Sequence, residues 1–189
     1  MSDPFVPPHA RALPPGVELL ASQELHRGRV FALRHDELRL PSGLEQKLDV
    51  VEHGGAVCVA AVDEDGRMLL VRQYRHAARA WLEEIPAGRL EPGESDPLLA
   101  AQRELEEETG MRAQSWSPLR SFLAAPGFCS EVLHLYLAEG LASAGPDARS
   151  ADPDEEIEVV RRTPVEVLAS EAGDAKTLLA AALLLREAR

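Results

Sequence analysis

Apolar and polar positions alternate along residues 17–25, 29–40 and 44–52, which predicts three strands, the last two joined by the turn Pro41-Ser42-Gly43. Gly54-Gly55 then punctuates the chain before two apolar runs, Ala56–Val62 and Met68–Tyr74. The acidic turn Asp63-Glu64-Asp65-Gly66 between them predicts a hairpin. Trp81–Gly88 reads as a short extended piece entering a loop. A helix should follow, with Asp96 as N-cap, Pro97 in the first position, apolar residues at Leu98, Leu99, Ala101 and Leu105, and Gly110 as the stop. Strands are expected at 115–124 and 131–138, and a loop rich in Gly, Ala, Ser and Asp at 139–154. Ile157–Val160 should form a last strand, Pro164 should open a short helix, and Asp174 should cap a longer one through Leu178–Leu185. Strands around one central helix, with helices at the end, predict an α+β or α/β sandwich.

Charge changes this picture at one place. Arg103–Gly110 concentrates carboxylates: Glu104 and Glu108 are four residues apart with Glu107 beside them, so all three share a helix face. Like charges at that spacing repel unless something positive sits among them. A solvated acidic face is the commoner outcome, but a hard divalent cation such as Mg²⁺ or Mn²⁺ suits carboxylate oxygens. Glu106 is expected to be an exposed helix residue.

The segments before and after the acidic run decide how to read it. Residues 88–111 resemble the Nudix box, G-x5-E-x7-R-E-U-x-E-E-x-G-U with U aliphatic, through Gly88, Glu94, Arg103, Glu104, Leu105, Glu107, Glu108, Gly110 and Met111. There is one departure: eight residues, not seven, separate Glu94 from Arg103. The extra residue falls beside Ser95-Asp96-Pro97, at the helix entrance, and Glu94 is the position it disturbs. VRQYRHAARAWLEEIPAGRLEPGE at 71–94, APGFCSEVLHLYLA at 125–138 and Pro126, sixteen residues past Gly110, are similar to ADP-ribose pyrophosphatases.

The resemblance implies an α/β/α Nudix sandwich with a mixed sheet, an α+β arrangement carrying a small N-terminal β subdomain. The Pro-rich residues 1–16 read as a loose arm and the first three strands as a β subdomain at 17–52; the resemblance implies that this subdomain could dimerise the chain and that 53–189 is the hydrolase domain. The implied reaction is Mg²⁺-dependent hydrolysis of the diphosphate of ADP-ribose to AMP and ribose 5-phosphate. Other nucleoside diphosphate derivatives (a nucleotide sugar, NADH, a dinucleoside polyphosphate) and a non-catalytic ADP-ribose-binding module are the alternatives. Glu104 and Glu108 would be the main metal ligands, with Glu107 and the Ala87 carbonyl completing the set, and Arg103 would hold the loop to the helix.

Chemistry suggests the substrate side. An arginine beside the box can clamp a phosphate or stack on adenine, and the family match favours Arg75 over Arg72. Glu84 could accept hydrogen bonds from ribose hydroxyls or the adenine amino group, or else form a strand-end ion pair. Glu131 could bind the terminal ribose. Phe31 is a stacking candidate or a core residue. The resemblance to ADP-ribose pyrophosphatases further implies a general base from the acidic stretch 151–157, Glu155 or Glu156, with Glu107 as a further catalytic acid of the box.

Composition sets the remaining bounds. A net charge of −12 over 189 residues argues against nucleic acid or an anionic membrane as partner. No apolar run reaches membrane-spanning length, and Cys58 and Cys129 lack metal or redox spacing. A cytoplasmic enzyme acting on a small molecule is the expectation.

Overall fold

In the computed structural model, residues 11–91, 93–94, 96–146, 148–149, 156–171 and 173–187 are described. Positions 1–10 of the expected arm and Glu155 lie outside them. Ten strands and three helices form among the described residues. The first three strands, β1 (Glu18–Arg27), β2 (Phe31–Arg39) and β3 (Glu45–His53), make an antiparallel meander in the order β1-β2-β3. They belong to a first unit that also contains Ser121–Leu133. That second segment joins the meander through main-chain bonds, Val51 N–H to the Phe128 carbonyl (2.8 Å) and Ser130 N–H to the Val51 carbonyl (2.9 Å). β1 is exposed along its whole length.

The second unit holds the rest. β4 (Ala56–Ala61) is buried at every position, as a strand covered on both faces must be. Its odd residues Val57, Val59 and Ala61 pack with Ala100, Ala101 and Leu105 of helix α1 (Pro97–Thr109) in the main core. α1 has the ends read from the sequence: Asp96 accepts the Leu98 N–H, and Gly110 takes the left-handed conformation (φ 66°) with its N–H on the Glu106 carbonyl.

β4 and β5 (Met68–Arg75) are not sheet partners, contrary to the expected hairpin. One bridge, Val62–Met68, joins them beyond the turn, where the Asp63 carboxylate accepts the Asp65 and Arg67 N–H groups. β4 then enters a sheet of order β7-β4-β9-β8, and β5 one of order β10-β5-β6. Both runs are apolar on both faces where they leave the turn, so their pattern carries no register. Pro86 divides the expected extended piece into β6 (Ala80–Glu84) and β7 (Ala87–Arg89). β8 (Met111–Leu123) and β9 (Val132–Ser143) run longer than expected. β10 (Glu158–Arg162), α2 (Pro164–Ala169) and α3 (Ala175–Glu187) complete the chain.

Candidate functional site

The corner between β6 and β7 is gripped from two sides. The Val59 N–H bonds the Pro86 carbonyl at 2.8 Å, and the Ala87 N–H donates to Glu108 Oε2 at 3.1 Å. One residue on, a Cβ at Gly88 would overlap the Glu104 carboxylate, so only glycine lets that side chain lie against the strand. Glu104 and Glu108 therefore bracket the Ala87–Gly88 main chain, one helical turn apart on α1.

Arg103 supplies the positive charge that the acidic face requires. Its Nη1 donates to Glu104 Oε1 (2.6 Å) and Glu107 Oε2 (3.0 Å), while Nε and Nη2 donate to the two oxygens of Glu94 (3.3 and 3.2 Å). Nη2 also reaches the Arg89 carbonyl at 3.1 Å. Burial works against the guanidinium charge, but Glu94, Glu104 and Glu107 together raise its pKa above the ordinary arginine value. Glu94 thus stands at Arg103 despite the extra residue. Gly93, just before Glu94, takes a positive φ of 95°, and the Glu91 N–H donates to Glu94 Oε2 at 2.7 Å. Burial raises the Glu94 pKa and Arg103 lowers it, with a net fall.

Among the described residues no three carboxylate, imidazole or thiolate side chains are gathered at one point within metal-ligating reach. Arg103 is what Glu94, Glu104 and Glu107 gather around. The donor set nevertheless fits a hard divalent cation. Such an ion keeps several waters and needs only one or two carboxylates, and the Gly88 cradle presses one carboxylate onto the loop that carries the Ala87 carbonyl.

Glu106 corrects the expectation of an exposed helix residue. It is buried, accepting from Arg112 Nε (2.9 Å) and Nη2 (2.7 Å) and from the Arg149 main-chain N–H (3.0 Å). The Arg112 hydrogen bonds, then the Arg149 amide, push its pKa down to about 2. The Ala144 N–H meanwhile bonds the Gly110 carbonyl at 2.9 Å. The chain leaving β9 is thereby moored at two points on α1. Nothing in the acidic run alone marks Glu106 for this, since its main-chain partner lies more than forty residues downstream.

The substrate-side candidates fall in different places. Arg75 and Glu84 share a face of the β5–β6 pair and bind each other: Nε to Oε1 at 3.0 Å and Nη2 to Oε2 at 2.9 Å. Glu84 is 3 % exposed and also accepts from Lys176 Nζ at 2.6 Å, so the strand-end ion pair describes its geometry. Burial pushes its pKa up, and Arg75 and Lys176 more than reverse that. Arg72, on the opposite face, lies 5.2 Å from the centre of the Trp81 ring. Glu156 is exposed just before β10. β10 runs antiparallel to β5 with Glu158 opposite Arg72, so it begins at the Arg75 end of β5.

Glu131 and Phe31 belong to the first unit. Phe31 is exposed at the start of β2, and Glu131 Oε1 lies 3.7 Å from His53 Nδ1, which itself accepts the Gly55 N–H.

A family model described as the NUDIX domain matches residues 52–182, which spans this whole arrangement except the first strands. The chain belongs to the Nudix family. It is a Nudix hydrolase, and enzymes of the family generally use divalent metal ions. An ADP-ribose pyrophosphatase of Mycobacterium tuberculosis is 44% identical over 72% of this chain and 67% of its own. The ADP-ribose pyrophosphatase of Bacillus subtilis is 40% identical over 85% and 88%. A methanol dehydrogenase activator of Bacillus methanolicus is 41% identical over 79% and 80%. A crystal structure of an ADP compounds hydrolase has the same Nudix fold, with a TM-score of 0.77 over 94% of this chain and 95% of that one at 23% identity.

Proposed function

We propose that this Nudix hydrolase splits the diphosphate of ADP-ribose into AMP and ribose 5-phosphate, with Mg²⁺ as the working metal and Mn²⁺ as a substitute. The observation that carries the reading is the start of β7, Ala87–Gly88, held between the Glu108 and Glu104 carboxylates. Relatives named ADP-ribose pyrophosphatase, at 40–44% identity, support the choice of substrate.

Glu104, Glu108 and the Ala87 carbonyl would hold the metal, with Glu107 completing the set. A bound divalent cation neutralises the diphosphate and acidifies the attacking water. The residues of the chain do the rest. Arg75 draws the negative charge of one phosphate, and Glu155 or Glu156 accepts the proton of the water that adds to phosphorus as the bridging P–O bond breaks. Arg103 keeps Glu94, Glu104 and Glu107 in place. Glu131 would bind the terminal ribose and Phe31 would stack on adenine. Glu84, already engaged, would orient Arg75 rather than meet the ribose.

Product analysis across ADP-ribose, GDP-mannose, NADH and diadenosine polyphosphates tests the assignment. ADP-ribose should lead the others in kcat/KM by at least about tenfold, a margin of about 1.4 kcal/mol. EDTA should stop turnover and added Mg²⁺ should restore it. A different leading substrate, or turnover in EDTA, would refute the reading; tight ADP-ribose binding without turnover would favour a binding module.

We further propose a homodimer in a reducing, cytoplasmic setting. Neither Cys58 nor Cys129 is joined in a disulfide. β1 presents Leu19, Leu20 and Leu25 to solvent at 41–50 % exposure, on a three-stranded sheet of the kind that needs an apolar face covered to be stable. Sedimentation at micromolar concentration should give twice the 20.6 kDa chain mass, and a monomer there would contradict this.

A further inference from the structure

Lys176 sits in the first turn of α3, where the helix dipole disfavours a cation. It is nearly buried all the same, with Nζ 2.6 Å from Glu84 Oε2 and 3.0 Å from Asp174 Oδ1. Burial would lower its pKa, but Asp174 and Glu84 raise it. A buried ammonium against the dipole is costly, and Asp174 alone would satisfy a lysine that merely tied down its own helix. What the ammonium adds is a second hold on Glu84.

Glu84 Oε2 is shared between Lys176 Nζ and Arg75 Nη2, and Oε1 takes Arg75 Nε. Two parallel bonds fix the plane of a guanidinium in a way one bond cannot. The main chain beside Glu84 is set by the same turn of α3. The Ile85 N–H donates to Thr177 Oγ1 at 2.9 Å, and the Thr177 hydroxyl donates its own proton to Asp174 Oδ2. Both the backbone and the side chain of the 84–85 corner are therefore held by Asp174, Lys176 and Thr177, while the outer edge of Arg75 stays partly open to solvent.

We propose that Lys176 is a positioning residue for substrate: it locks Glu84, which in turn aims the Arg75 guanidinium at a phosphate of the diphosphate. This rests on the assignment of Arg75 to the substrate. Pre-aligned donors spare the ordering cost that a mobile arginine would meet on binding, so the effect should appear in KM more than in kcat.

A double-mutant cycle with Lys176→Met and Arg75→Ala tests it, run with Mg²⁺ on whichever diphosphate the wild type hydrolyses best. Lys176→Met should raise KM about five- to tenfold, with kcat lowered less than about threefold. In the Arg75→Ala background the same change should shift KM by less than about twofold, because the residue it acts through is gone. Glu84→Gln, which keeps the shape of the side chain, should reproduce both results and stands in if the methionine variant does not fold. An equal KM increase with and without Arg75, or a wild-type KM in both Lys176→Met and Glu84→Gln, would overturn the proposal. A wild type that turns over another diphosphate but not ADP-ribose would overturn the substrate assignment and leave the cycle readable.

Discussion

Glu108→Gln is expected to lower kcat/KM by about 10²–10³-fold, a loss of about 2.7–4 kcal/mol of transition-state stabilisation, with the fold intact. The substitution separates two jobs of one side chain. A glutamine oxygen can still accept the Ala87 N–H, so the corner between β6 and β7 keeps its mooring. The negative charge that would bind a metal is lost. Steady-state kinetics with a thermal melt as control would measure this, and activity within about threefold of wild type would remove Glu108 from the metal seat.

Gly88→Ala is expected to weaken the metal site from the opposite side. The added Cβ falls among Glu104 Oε1, Cδ and Oε2, and the strand cannot easily yield. Gly88 is registered opposite Val57 on the fully buried β4, and Ala87 next to it is bonded to Glu108. Glu104 must therefore leave its place. The Mg²⁺ concentration for half-maximal activity should rise at least about tenfold, the order seen when support for a metal ligand is removed. The overlap should also cost about 1–3 kcal/mol of stability. A metal titration showing wild-type half-saturation would mean that the Gly88 cradle does not serve the metal.

The parts of the fold that follow local rules are legible in the sequence alone. Asp96, Pro97 and Gly110 bound α1 as capping chemistry dictates, and Asp174 marks the start of α3. The acidic face of α1 is legible too, because four-residue spacing fixes which side chains meet. Pairing between strands is not. β4 and the first half of β5 are apolar on both faces, so no alternation distinguishes a hairpin from two separate sheets. Glu106 escapes for a related reason: its environment comes from Arg112 and Arg149, which a helical wheel of α1 does not contain. Lys176 leaves a faint signal. A lysine two residues after an N-cap opposes the helix dipole, and such a placement asks for an acid nearby. Glu94 shows the converse, a position the spacing puts in question that nonetheless meets Arg103.

On the proposed function, Glu104 and Glu108 seat a metal on the Ala87–Gly88 segment for the hydrolysis of ADP-ribose. The most direct test is the rate of AMP formation from ADP-ribose, followed across a Mg²⁺ titration for wild type and Glu108→Gln side by side. The expected result is saturable, EDTA-sensitive release of AMP and ribose 5-phosphate by the wild type and almost none by the variant at any Mg²⁺ concentration. Equal AMP formation by the two proteins, or formation by the wild type that ignores Mg²⁺, would contradict the account.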